Sequence, residues 1–458
     1  MTPLRDAPSP PSRFPAGHLR PFARDPLSFL TAAAGLGPVV RLRFATTPAC
    51  FVSAPHLIEE VLVTRQRDYV KARSIRAHRS LLGNGLFTNE GDSWLRQRRL
   101  AQPAFHPERI AACAGVMARA AAGMLDAWRD GETREVHEEM KRLTAAIAAR
   151  TLFGADVARE APDLAGSLEA VMRLHEARRG LSRLVPERVP IPPHVRYRGA
   201  IRRLDALVLG FIRHRRASGA AGDDLLSMLL QARDEDGGGM DDRQLRDEVL
   251  TLFVGAYDTP ALALTWLVHL VSRHPDVATA LEAEIEHALG GEMPDAEVVP
   301  YLRYVGMAVN EAMRVYPPAW MLARESVRDT TIGGYGIPAG TMVLVSQWVM
   351  HRDPRFFERP DAFVPERWSN GLEKRLPRYA YFPFGAGPRI CIGASFAMMQ
   401  SVIVFTQLLQ RFRVQAVDDE PVRLWPSLTL RPRDGVRVRL SARRTVRAVP
   451  QPAADVLA

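Results

Sequence analysis

Hydrophobic positions along this chain recur at helical spacing in some stretches and alternate in others. Apolar residues three or four positions apart predict helices over residues 56–64, 93–100, 197–215, 223–233, 300–316 and 394–409, and three more between 109 and 180. Strict alternation over Val39–Phe44, followed after a turn by the apolar run 49–52, predicts an antiparallel hairpin. Short strands are also expected around 341–346 and in a hairpin that includes residues 427–430.

The longest predicted helix begins at about Asp241 and ends near residue 272, before a His-Pro pair. About thirty residues at a rise of 1.5 Å each span about 45 Å, enough to cross a domain. Gly255 and Pro260 interrupt it, at costs of about 1 and about 3 kcal/mol relative to alanine. Proline cannot donate to the Ala256 carbonyl, and the Thr259 hydroxyl can bond back to Gly255. Such a widened polar turn suits a small polar ligand and a proton path; an ordinary proline kink is the alternative.

The chain has 458 residues, 47% of them hydrophobic, which allows a large core and by length alone two or three domains. Cys50, Cys113 and Cys391 form no disulfide framework, which indicates a reducing compartment. The N-terminal apolar stretch, residues 26–40, contains glycine and proline and is shorter than the roughly 20 residues that span a bilayer. We therefore expect a cytoplasmic protein without a membrane anchor.

The formal net charge is +10 and is carried almost entirely by arginine. The arginines are scattered, and no long basic run or nucleic-acid motif is apparent, so no nucleic-acid partner is expected. Solvated surfaces are the first interpretation of this charge, and a docking surface for an acidic electron carrier is the second.

Cys391 ends a glycine-rich loop and directly precedes the predicted apolar helix at residues 394–409. A thiol there faces the free N–H groups and the positive dipole end of the helix, which favour thiolate. Gly393 leaves room for a flat group against the backbone, and Arg389 is placed to meet an anionic group at the edge of that ligand. A buried free cysteine is the alternative for an isolated residue.

This loop resembles the haem-binding loop of the cytochrome P-450 family, as found in its soluble bacterial-type members, because every signature position is filled: Phe384, Gly385, Gly387, Arg389, Cys391 and Gly393. The resemblance implies that Cys391 is the thiolate ligand of the iron of haem b. It also implies a mostly α fold with a small β-rich region in a single large domain. We expect a Pro/Arg-rich arm at 1–25, the cytochrome P-450 domain at 26–444 and a tail at 445–458.

The resemblance assigns further haem contacts. Trp94 and Arg98, four residues apart on one helix face, would reach the haem propionates; a surface cation–π pair is the alternative. Arg324 would supply another propionate contact.

The segment around Asp258 and Thr259 resembles the oxygen-binding motif of the same family. By resemblance these are the catalytic residues: Thr259 positions water where oxygen binds, and Asp258 relays protons. Ala256 replaces a glycine and Pro260 replaces a hydroxyl residue of that motif, which puts the water arrangement and the coupling in question.

Glu311 and Arg314, three residues apart on a helix, resemble half of the structural triad of the family, which Arg367 would complete. Glu-x-x-Arg alone is weak, since Glu325 and Arg328 match it by chance. The assignment is strengthened by the order of the motifs along the chain: Glu311 and Arg314 come first, then Arg367, then the cysteine loop. The resemblance implies that these three residues stabilise the fold.

The implied pocket is apolar and includes Leu86, Phe87, Trp320, Met321 and Leu428, with Ala319 beside the haem. This favours a terpenoid, steroid or fatty acid as substrate. Arg76, His78 and Arg79 can hold a carboxylate or be solvated surface, and residues 186–193 are a roof over the site or a plain linker.

The implied function is a monooxygenase that uses O2 and two electrons from a ferredoxin or flavodoxin-type donor and its reductase. A peroxide-driven or isomerising haem-thiolate enzyme, and a non-enzymatic haem sensor or carrier, are the alternatives.

Overall fold

A computed structural model describes residues 6–12, 16–154, 164, 166–171, 174, 189, 191–219, 222 and 224–443. The described chain is mainly helical, as expected from the resemblance. Its α-helices are Leu19–Arg24, Pro26–Ala34, Pro55–Glu59, Arg73–Arg76, Arg79–Leu82, Gly91–Ala101, Pro107–Ala112, Ala114–Leu125, Val136–Phe153, Pro192–Ser218, Leu225–Gln231, Asp242–Val271, Pro275–Leu289, Arg303–Val315, Gln347–Met350, Leu372–Arg375 and Ala394–Arg411.

The strands are short and form four small sheets. They are β1 Val39–Phe44, β2 Thr47–Val52, β3 Tyr69–Lys71, β4 Thr133–Glu135, β5 Leu322–Ser326, β6 Thr330–Ile332, β7 Tyr335–Ile337, β8 Met342–Val345, β9 Phe412–Ala416, β10 Leu424–Pro426, β11 Leu430–Pro432 and β12 Arg437–Ala442. The largest sheet has the order β1-β2-β8-β5-β3; β4-β12-β9, β10-β11 and β6-β7 form the others. The predicted hairpins are confirmed, because β1 pairs antiparallel with β2 and β10 with β11.

The predicted long helix is present as Asp242–Val271, and Asp241 caps it by accepting the Gln244 N–H at 2.7 Å. It packs along Val136–Phe153 and Arg303–Val315. It is also the one described helix long and apolar enough to cross a membrane, and 78% of that apolar window lies inside the protein. It is therefore a core helix.

One domain forms despite the length of the chain, because the long helix contributes to three hydrophobic clusters. Leu264 lies in the first, Val249 in the second and Trp266 in the third. A fourth cluster packs on the largest sheet and includes Phe382 at the start of the cysteine loop. A helix shared in this way prevents the clusters from separating into independent domains.

Some helices differ from the predicted ones because they begin or end in a 3-10 or π-helical turn. The predicted helix at 56–64 is an α-helix, Pro55–Glu59, that continues as a π-helical turn over Glu60–Thr64. The predicted helix at 300–316 begins with a 3-10 turn, Val299–Tyr301, before Arg303–Val315. Periodicity does not distinguish these turns from α-helix. The domain boundaries stay a prediction, although Pro8 of the arm accepts the Arg41 N–H of β1 at 2.7 Å.

Candidate functional site

The glycines of the cysteine loop are required by its backbone. Gly385 and Gly387 have φ values of +77° and +66°, which side chains other than glycine rarely adopt. A Cβ on Gly387 would lie 2.2 Å from the Leu62 carbonyl oxygen. The Cys391 N–H donates to the Phe384 carbonyl at 2.9 Å, and this bond closes the loop. The sequence is therefore glycine-rich here because the loop folds tightly onto its neighbours.

Cys391 lies three residues before the helix Ala394–Arg411, and it is exposed although neighbouring protein atoms surround its thiol. Burial raises the pKa of this thiol, whereas the Gly393 N–H and the Arg98 cation lower it. The helix N-terminus and the nearby cation thus favour the thiolate as expected, but their effect on the pKa is smaller than that of burial. A metal that binds sulfur replaces the proton, and the same N–H and cation then stabilise the bound thiolate.

Open space borders the middle of the long helix. Gly255 is exposed although the residues on either side of its turn are buried. At the cysteine loop, a Cβ on Gly393 would meet only Phe105, at 3.8 Å. A flat group can therefore lie against the cysteine loop.

Three arginines border this space and form what we call the arginine cluster: Arg98, Arg324 and Arg389. Arg389 donates to Glu90 Oε2 at 2.7 Å, and its Nε has no hydrogen-bond partner in the described part of the chain. Burial, and then the neighbouring Arg389 cation, lower the pKa of Arg324 to about 10. Arg98 donates to the Ile390 carbonyl at 2.9 Å. Within this cluster Arg389 binds the Glu90 carboxylate, which also acts on the charge of Arg324, so one carboxylate interacts with two of the three cations and the cluster can accept further negative charge.

These features fit haem. Its two propionates would supply the negative charge that the arginine cluster lacks, its flat ring suits the uncrowded backbone at Gly393, and its iron takes a cysteine thiolate.

Trp94 is buried and contacts two cations that no local pattern in the sequence paired with it. Lys71 Nζ lies 5.6 Å from its ring centroid and the Arg389 guanidinium lies 5.5 Å from it. The described cation contacts of Trp94 are therefore with these two residues, while Arg98 binds the Ile390 carbonyl. Their separation along the chain hides this arrangement from any local pattern.

Thr259 and Asp258 point in different directions because neighbouring helix positions differ by about 100°. The Thr259 hydroxyl donates to the Gly255 carbonyl at 2.9 Å, as predicted. Asp258 is buried and accepts from Arg431 Nη2 and from the Thr429 hydroxyl, each at 3.0 Å. Arg431 is a residue that sequence reasoning missed, since no local pattern connects β11 with the long helix.

The predicted triad is confirmed in detail. Arg314 and Glu311 are completely buried and pair at 2.9 Å, and Arg367 Nε reaches the same carboxylate at 2.8 Å. Trp368 Nε1 and the Val364 N–H donate to it as well, at 2.9 and 3.0 Å. Every acceptor site of Glu311 is therefore used. The chance match is different: Glu325 binds Arg73 and Arg76, and Arg328 binds Asp68.

Four of the predicted pocket residues are half-buried and two are buried. Phe87, Ala319, Met321 and Leu428 are half-buried and Leu86 is buried. Trp320 instead packs in the core, where its Nε1 donates to the Ser427 carbonyl at 2.9 Å.

The remaining predicted contacts lie outside the pocket or outside the described residues. Arg76 pairs with Glu325 at 3.1 Å, so this guanidinium already has a carboxylate partner. Half of the predicted roof, residues 186–193, falls outside the described residues, and its last two residues begin the helix Pro192–Ser218.

The sequence profile of the family described as Cytochrome P450 matches residues 8–437. Over 422 residues the chain is 36% identical to cyclooctatin synthase of Streptomyces melanosporofaciens, covering 91% of each chain. It is 36% identical to cyclooctat-9-en-7-ol 5-monooxygenase of the same organism, covering 88% of each. It is 32% identical to pentalenene oxygenase of Streptomyces avermitilis, covering 93% of this chain and 95% of the relative.

Two solved structures share the fold with a TM-score of 0.86 each. One is a retinoic acid-bound cyanobacterial P450, 24% identical, with 96% of this chain and 100% of that chain covered. The other is the haem domain of cytochrome P450DA, 27% identical, with coverages of 97% and 99%.

Proposed function

Because this chain belongs to the cytochrome P450 family, whose members bind haem b and act as monooxygenases, we propose that Cys391 supplies the thiolate ligand of the haem iron. The observation that carries this assignment is Cys391 itself, which is exposed just before a helix N-terminus with an N–H donor and a cation beside its thiol. When bound, the haem supplies dioxygen activation: one oxygen atom enters a C–H bond of the substrate and the other leaves as water, with two electrons and two protons consumed.

The cofactor-binding residues in this proposal are Trp94 and the arginine cluster, with Phe384, Gly385 and Gly393 shaping the loop. The guanidinium groups of Arg324 and Arg389 are buried, so charge-assisted hydrogen bonds to propionates would form in a region of low dielectric constant. The Trp94 ring contacts both Lys71 and Arg389 and so helps to fix the Arg389 side chain.

Thr259 and Asp258 handle protons in this proposal. The Thr259 hydroxyl donates to Gly255, so its oxygen lone pairs remain free to accept a hydrogen bond from water in the widened turn. The Asp258 carboxylate is anchored by Arg431 and Thr429 and has to loosen from them to take up a proton. Proton delivery then depends on how firmly Arg431 holds it.

The substrate we propose is an apolar terpenoid. The names of two relatives specify a hydrocarbon, pentalenene, and an alkenol, cyclooctat-9-en-7-ol. The half-buried residues Phe87, Ala319, Met321 and Leu428 are apolar as well. Steroids and fatty acids share the apolar character, but Arg76, a candidate to hold a fatty-acid carboxylate, is paired with Glu325.

The electron donor we propose is a ferredoxin or flavodoxin-type protein with its reductase, in the cytoplasm. The net charge of +10 favours an acidic partner.

The substrate proposal is tested by adding pentalenene, a steroid and lauric acid to the purified protein and recording the spin state of the haem. Turnover is then measured with a surrogate ferredoxin and reductase. We expect pentalenene to shift the spin state and to yield a hydroxylated product. A response to lauric acid alone would contradict the terpenoid assignment.

A further inference from the structure

The backbone of Leu86 is held at its N–H and at its carbonyl by two buried ionisable side chains. Its N–H donates to Glu248 Oε2 at 3.0 Å, and its carbonyl accepts from Lys71 Nζ at 2.7 Å. Glu248 is completely buried on the long helix, and Lys71 is 8% exposed at the end of β3. One residue of a loop thus connects the long helix with the largest sheet.

The loop has little freedom to lie elsewhere. A Cβ on Gly85 would fall 2.1 Å from the Thr251 hydroxyl, so the backbone touches the long helix one turn before Gly255. The Asn84 N–H donates to Asp247 at 2.7 Å, next to Glu248. Lys71 Nζ also donates to the Asn89 carbonyl at 2.8 Å, which holds the far end of the loop.

The position of this loop controls a side chain close to the reaction site. Phe87 follows Leu86 directly, is half-buried, and packs against the same apolar cluster as Ala256 and Ile392. Ala256 lies four residues before Pro260 on the long helix, and Ile392 is adjacent to Cys391. A shift of the Leu86 backbone therefore moves the Phe87 ring relative to a cluster to which the oxygen-binding motif and the cysteine loop both contribute.

Burying these two ionisable groups is costly, which argues that they have a purpose beyond stability. Burial raises the pKa of Glu248 to about 8, and the Leu86 N–H opposes this rise. Burial lowers the pKa of Lys71 to about 7, and Glu90 opposes this fall. Glu248 Oε1 has no hydrogen-bond partner among the described residues. Apolar residues of similar volume would avoid these costs but could not grip a peptide group.

We propose that Glu248 and Lys71 are positioning residues that fix the Leu86 peptide and thereby set the place of Phe87 in the substrate pocket. They determine how large a group fits above the haem, and so which part of a substrate faces the oxygen. This inference rests on the proposed haem site at Cys391.

The test uses two small ligands that bind haem iron from the pocket side, imidazole and 4-phenylimidazole, in the haem-loaded protein. Imidazole does not reach the pocket wall, whereas the phenyl group does. The measured quantity is the ratio of the two dissociation constants, from spectral titration. We expect Glu248→Leu and Lys71→Met each to change this ratio by about fivefold or more.

Matched controls are Glu282→Leu and Lys141→Met, which remove similarly buried charges that pair with Arg413 and with Glu138 and Glu169 elsewhere. They should leave the ratio unchanged. Glu248→Gln keeps an acceptor for the Leu86 N–H, so its ratio should stay near that of the wild type. This variant can also be measured if Glu248→Leu folds poorly.

The double variant Lys71→Met/Glu248→Leu should change the ratio by less than the product of the single effects, because both residues hold the backbone of Leu86. An unchanged ratio in both single variants, with imidazole still bound, would overturn the inference. If imidazole produced no spectral shift in the wild-type protein, the haem site itself would be wrong, which is a separate outcome.

Discussion

Arg431 Nη2 donates to Asp258 Oδ1 at 3.0 Å and so connects β11 to the long helix immediately beside Thr259. The Thr429 hydroxyl holds the other carboxylate oxygen at the same distance. These two bonds hold the carboxylate in one orientation, so it has to turn away from them before it can pass on a proton. In the proposed mechanism the Asp258–Arg431 pair therefore controls proton delivery.

Asp258→Asn should lower the rate of product formation by about 100-fold, because an amide cannot carry the proton. The measurement is turnover at saturating electron donor, with the kinetic solvent isotope effect as a second readout. Thr429→Val removes one hydrogen bond and leaves the carboxylate, so it should change turnover far less. Wild-type turnover in Asp258→Asn would exclude the relay.

Thr259→Ala should reduce the product formed per electron pair consumed, because water in the widened turn loses its acceptor. Thr259→Ser should retain most of the coupling. Thr265 makes the same type of bond, to the Ala261 carbonyl at 2.6 Å, away from the turn, so Thr265→Ala is the control. Equal coupling in Thr259→Ala and wild type, measured as product against NADH oxidised, would contradict the assignment.

Glu311→Gln should destabilise the fold by about 3–5 kcal/mol, because Arg314 and Arg367 lose their buried counter-charge. Urea unfolding and haem content of the purified protein measure this loss. The chance motif provides the control: Glu325→Gln removes a carboxylate that binds the exposed Arg73 and the half-buried Arg76. It should cost at most about 1 kcal/mol. Similar losses of stability in Glu311→Gln and Glu325→Gln would contradict the assignment of Glu311 to a structural triad.

His351 makes stability fall in acid. Its Nε2 accepts the Phe382 N–H at 3.0 Å, so the buried ring is neutral in the fold. Burial, and then the Arg314 cation, lower its pKa well below the usual value of 6.5. The unfolded chain therefore binds a proton that the folded chain does not, and the contribution of the neutral ring, present above pH 6.5, is lost as the pH falls below it.

The expected slope from this one group is up to about 1.4 kcal/mol per pH unit. Urea midpoints between about pH 7.5 and 5 should fall less steeply in His351→Gln than in wild type. His287 is exposed, and His287→Gln should keep the wild-type slope. If the urea midpoints of His351→Gln and wild type fell in parallel with pH, another group would control the loss of stability in acid.

Features encoded within a short stretch of sequence could be predicted. The Asp241 cap, the back-bond of Thr259 and the glycine conformations of the cysteine loop each depend on residues a few positions apart. The bridge from Arg367 to Glu311 spans 56 residues and was predicted only through the resemblance.

Partners that meet only in the folded chain could not be predicted. Asp258 and Arg431 are 173 residues apart, and Glu90 and Arg389 are 299 apart, with no periodic pattern between them. Trp320 illustrates a second limit: it lies in the segment just before β5, and composition does not tell whether an aromatic ring there packs in the core or lines the pocket.

The most direct test of the account is the absorption spectrum of the dithionite-reduced protein under carbon monoxide, for wild type and Cys391→Ser. A sulfur thiolate on iron predicts a strongly red-shifted Soret band in wild type and its loss in the variant. The same red-shifted band in Cys391→Ser, or its absence from haem-loaded wild type, would contradict the assignment of Cys391.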